Sequence, residues 1–151
     1  MALLAASTAL RSVLEQLLET IEIETAVRIY AAQNSPQATA TERREREARI
    51  QLALRAAADV PLEAMRLCAL GLQHAQTVAE RGSRAAAAEV QLGVALLRVA
   101  LTGARLNLET RLSSLTDVLH TKAIVDEIAR LNEDAARRAR AAELAVQVPP
   151  A

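Results

Sequence analysis

The chain has 151 residues, 52% of them apolar, yet it holds no Phe, no Trp and only one tyrosine, Tyr30. Its 18 basic and 18 acidic residues cancel with no single-sign block, which argues against nucleic-acid binding, since phosphate contacts need a concentrated basic face. Cys68 is alone, which excludes an intramolecular disulfide or a Cys-x-x-Cys metal site. A core of Ala, Leu, Val and Ile favours closely packed helices over a sheet, because alanine is the best helix former and strands prefer aromatic and β-branched residues.

The opening stretch MALLAASTALRS lacks a positive n-region and has only a short apolar run, so it reads as neither signal peptide nor membrane span. The expected setting is a soluble cytoplasmic protein. Residues 2–34 read as a first long helix, with Leu10, Leu14, Leu17 and Ile21 along one stripe and Val13, Leu18 and Ile29 broadening it. Ser35-Pro36 ends it. Thr39-Ala-Thr-Glu42 then has the form of a capping box for a second helix, whose first turns, ERREREAR, are charged and solvated.

Asp59-Val60-Pro61 is expected to interrupt that helix, Asp59 capping a third over about 61–81. The third helix carries Met65, Cys68, Leu72, Ala75 and Ala79 on one face, with Leu67, Leu70 and Val78 on others, so it should be buried on more than one side. Gly82 stops it and Ser83 caps the next.

The stretch Glu89–Asp117 organises the rest. Val90, Val94, Leu97, Leu101, Ala104, Leu108 and Leu112 fall in alternating steps of four and three, one stripe along a helix. Gly93, Ala100, Gly103 and Ala104 are small enough to let a neighbouring backbone approach. After a weak break near Asp117–Thr121, a last helix runs to about Val146, with Ile124, Ile128, Leu131, Ala135, Ala139, Ala142 and Val146 in the same alternation. No stretch alternates at period two, and no hairpin signal or internal repeat appears. The expected fold is a single all-α domain over residues 1–151. It would be a bundle of about five helices, the first and last long, closed as a homodimer because the Ala and Gly faces are too extended for one small monomer.

From Glu42 to Asp117 the chain resembles the cyclodeaminase/cyclohydrolase family, which includes formiminotetrahydrofolate cyclodeaminase and a bacterial methenyltetrahydrofolate cyclohydrolase. The resemblance is carried by Ser35-Pro36-Gln37, by Val60-Pro61-Leu62 in an Ala-x-x-Val-Pro-Leu step, by VAERG at 78–82 and by ARLNLETRLSSLTD at 104–117. It extends more weakly from about Arg11 to Ala145. It implies an all-helical dimer with folate sites between subunits, and either closure of a formimino group with loss of ammonia or hydrolysis of a methenyl bridge. Both reactions move a proton at a polarised one-carbon unit, so a carboxylate and an amide near the ligand make physical sense.

Several polar positions depart from the family pattern. The family's Gly-Gly-Gly-Ser segment has no counterpart here, and an acidic position on the next helix falls on Ile23, between Glu22 and Glu24. The family's Gly-Asn is Gly82-Ser83, its Ser-Asp pair is Ala88-Glu89, and its second Asn is Arg111. The residues expected to line a site are therefore Glu24, Asn107, Arg111 and Asp117, with Glu89 as the proton-transfer group. The bland counterparts are an interhelical Asn107, an ion pair for Glu89 or Arg111, and a helix cap for Asp117.

Asp117-x-x-His120 puts a carboxylate and an imidazole on one face, but the inward glutamates of a metal bundle are missing, so no metal is expected. No cofactor is expected either, a tetrahydrofolate derivative being the candidate substrate, and the partners expected are a second copy and that ligand, without nucleic acid or membrane. The alternative is a catalytically inactive helical dimer with a structural or regulatory role beside a partner enzyme.

Overall fold

The computed structural model describes residues 2–16 and 40–147, and every long element in them is helical. We label these α1 (residues 2–16), α2 (Ala40–Arg81), α3 (Ala87–Leu112) and α4 (Val118–Gln147), with a 3-10 turn, Arg84–Ala86, leading into α3. No strand occurs among the described residues, in line with the preference of the alanine-rich composition for helices. The end of the expected first helix, the Thr39 capping box and Glu24 lie outside the described residues.

One boundary is corrected. The second and third expected helices are a single 42-residue helix with Pro61 inside it. Proline removes the hydrogen bond to the carbonyl four residues back and normally breaks a helix. Here Ala57, Ala58 and Val60 before it and Leu62 and Met65 after it are all buried, and Pro61 is buried with them. Packing on both sides of the proline keeps the helix continuous through it. The described residues thus contain four helices where about five were expected along the whole chain.

α2 packs along both α3 and α4, which also pack on each other. Their common core is Leu62, Met65, Cys68, Leu72 and Ala75 from α2, Val94, Leu101 and Leu108 from α3, and the Ile124–Ile128–Leu131–Ala135–Ala139–Ala142 stripe of α4. That last stripe is the one read from the sequence. Leu67 of α2 is buried outside this cluster, so the helix is covered on a second side. Cys68 lies deep in the core, and desolvation pushes its thiol up to about 11.

Ion pairs fix the direction of the helices. Arg55 donates to Asp117 at 2.8 Å, and Arg66 grips Glu127 through two hydrogen bonds of 2.9 Å. The two contacts advance together along α2 and α4, so these helices run parallel. α3 runs back in the opposite direction against both, tied to α4 by Arg98–Glu143 at 2.9 Å. At the far end, Arg84 donates to the Ala145 carbonyl at 2.8 Å.

Gly82 ends α2, its N–H donating to the Val78 carbonyl at 2.7 Å. Ser83 caps the 3-10 turn through its hydroxyl, which accepts the Ala85 N–H. At the crossing of α2 and α3, the Leu97 side chain lies against Gly71, where a Cβ would sit 3.0 Å from it.

Candidate functional site

α3 carries the polar residues singled out in the sequence, and its two faces differ sharply in what covers them. The inner face is the expected stripe: Val94, Leu101, Leu108 and Leu112 are buried, with Val90, Leu97 and Ala104 packed against the core. The outer face is also apolar but bare. Leu92 and Leu96 are each 61% exposed, Val99 71% and Leu106 54%. Gly93 and Gly103 have open space where a side chain would be. A shallow open groove on this face is lined by Ala95, Arg98, Val99, Thr102, Gly103 and Leu106.

The segment Arg84–Leu112 is long and apolar enough, by length and composition alone, to cross a membrane, and only 11% of its most apolar window is buried in the fold. Arg98 stands at its midpoint and is paired with Glu143 of α4. A spanning helix would carry that charge to the bilayer centre, a costly position.

Within one chain Glu89 stands far from the other described site residues, Asn107, Arg111 and Asp117, which fall at the C-terminal end of α3 and in the turn after it. Glu89 is exposed in the first turn of α3, and Asn107 is exposed near its end. The two are separated by five full turns, so they share one azimuth but stand about 27 Å apart. Arg111 is half-buried in the last turn. Glu24 lies outside the described residues.

Asp117 is committed at the start of α4. Its Oδ1 accepts the His120 backbone N–H at 3.0 Å and its Oδ2 accepts from Arg55 at 2.8 Å. The cap hydrogen bond first, and then the Arg55 charge, hold its carboxyl below the usual range. This is the N-cap chemistry of a helix start, with an arginine added.

Next to it are two groups that the sequence did not single out for this role. His120 Nε2 and Thr121 Oγ1 are buried and meet no hydrogen-bond partner in the protein. The Asp-x-x-His spacing was visible, but Arg55, which comes from 62 positions away, was not. No group of three or more His, Cys, Asp or Glu residues fit to hold a metal ion occurs among the described residues. At the α3–α4 turn the structure thus places the Arg55–Asp117 ion pair beside two buried polar atoms, His120 Nε2 and Thr121 Oγ1.

No curated protein sequence matches the chain. A family model described as formiminotransferase-cyclodeaminase matches residues 2–130, which covers α1, α2, α3 and the first part of α4. The chain therefore belongs to the formiminotransferase-cyclodeaminase family.

Proposed function

We propose that the chain is a cyclodeaminase-like protein of one-carbon metabolism, binding a tetrahydrofolate one-carbon derivative or a similar heterocycle between two copies of itself in the cytoplasm. One observation carries the reading: Glu89 and Asn107 stand exposed on the same line of α3 but at opposite ends. A ligand that engages both Glu89 and Asn107 takes them from different subunits. In that arrangement Glu89 exchanges the proton and Asn107 hydrogen-bonds the polarised one-carbon unit. Arg111 pairs with a ligand carboxylate.

A second reading, a catalytically inactive dimer with a structural or regulatory role, is favoured by Asp117. Both of its oxygens are engaged by Arg55 and by the His120 N–H, which leaves it poorly placed to act as a base.

Calorimetric titration with folinic acid and with methenyltetrahydrofolate separates the two. The first reading expects saturable heat that Asn107→Ala weakens at least tenfold, a loss of about 1.4 kcal/mol. No heat at millimolar ligand leaves the structural role.

A further inference from the structure

The first part of α2 lies outside the apolar core. No described residue of this helix before Ala57 is buried, yet the helix runs unbroken from Ala40. Most helical stability comes from tertiary contacts rather than from propensity, so this part needs contacts of another kind. It has a row of polar side chains one turn apart, Glu47, Gln51 and Arg55, spaced so that they share a face.

Two of the three reach across to the turn that joins α3 to α4. Gln51 Oε1 accepts the Thr116 N–H at 3.2 Å, and Arg55 donates to Asp117 Oδ2 at 2.8 Å. Glu47 completes the row, its Oε1 accepting from Gln51 Nε2 at 3.4 Å, which turns the amide so that its oxygen faces the turn. Asp117 then caps α4 through its Oδ1, which accepts the His120 N–H at 3.0 Å. On the near side, the Ser114 and Leu115 N–H groups donate to the Arg111 and Leu112 carbonyls at 3.1 Å each. Hydrogen bonds thus tie the turn to α2, to the end of α3 and to the start of α4. Its single apolar residue, Leu115, is only partly buried, so these polar contacts decide its place.

We propose that Gln51 and Arg55 are positioning residues: they latch the α3–α4 turn onto α2 and so fix where Asn107 and Arg111, on the last two turns of α3, stand toward a ligand. Asp117 is the keeper of the latch, one oxygen capping α4 and the other holding Arg55. That the positioned residues meet a ligand rests on the reading above, whereas the latch itself does not.

Two substitutions separate the latch from its surroundings. Arg55 reaches Asp117 through one hydrogen bond, so a lysine can stand in for it and a leucine cannot. Asp117→Asn is the complementary change, because asparagine caps a helix as aspartate does but offers Arg55 no charge.

In calorimetric titration with folinic acid, Arg55→Leu and Asp117→Asn should each weaken binding about tenfold, the double variant no further, and Arg55→Lys should recover it. Amide exchange followed by NMR should show Thr116 exchanging faster in Gln51→Leu and Arg55→Leu, while the amides of Leu72 and Leu101 in the core stay as protected as in the native chain. Native-strength binding by Arg55→Leu, additive losses in the double variant, or unchanged exchange at Thr116 would each overturn the proposal. No heat from the native chain is a different result. It removes the ligand reading and the positioning role with it, and faster exchange at Thr116 would then leave the latch as a structural tie alone.

Discussion

Gly82 shows how much one missing side chain decides. A Cβ there would lie 2.4 Å from the Val78 carbonyl oxygen, the same oxygen that accepts the Gly82 N–H. Gly82→Ala must push the turn open, and we expect a loss of about 1–3 kcal/mol from the denaturant midpoint. A midpoint equal to that of the native chain would show that the turn adjusts freely. Leu108 is the opposite case, a side chain with no exposed surface at the centre of the core. Leu108→Ala should cost about 2–5 kcal/mol, the spread reflecting how far α2 and α4 can close on the cavity. Leu106, two positions earlier, is more than half exposed, and its truncation should barely move the stability of an isolated subunit.

Among the elements, α2 and α4 are joined by polar ties as well as by the core, and these ties should make the bundle sensitive to acid. Hydrogen bonds from Arg66 hold the Glu127 carboxyl below the usual range, and Arg138 does the same for Asp134 within α4. A carboxyl whose folded value is depressed binds fewer protons in the native state than in the unfolded one. It therefore stabilises the fold above the unfolded value of about 4, and that contribution is lost as pH falls through the folded value. Stability should thus decline on acidification through this range. Glu127→Gln should lower stability at neutral pH and flatten the decline, which urea melts followed across pH would reveal. An unchanged slope in Glu127→Gln would place the acid response elsewhere.

Most elements were legible, because alternating steps of four and three mark a helix wherever one face is buried. α4 follows its stripe from Ile124 to Ala142 without exception. The break expected at Pro61 did not occur, since local proline chemistry was overridden by burial that only the assembled bundle supplies. The site was less legible for a related reason. Spacing along one helix fixed the azimuth of Glu89 and Asn107, but it carries no information about which surface faces them. The tie between Arg55 and Asp117 joins residues 62 positions apart, a distance that no local pattern spans.

For the whole molecule, the lone Cys68 has a practical consequence. Its sulfur is sheltered in the common core of α2, α3 and α4, and its raised thiol value keeps it protonated at neutral pH. A chromogenic disulfide reagent can therefore reach it only when those three helices part. The rate of colour development should report the opening of the subunit, slow in buffer and accelerated in urea. Rapid colour in the untreated protein would mean that the helices separate far more often than so dense a centre allows.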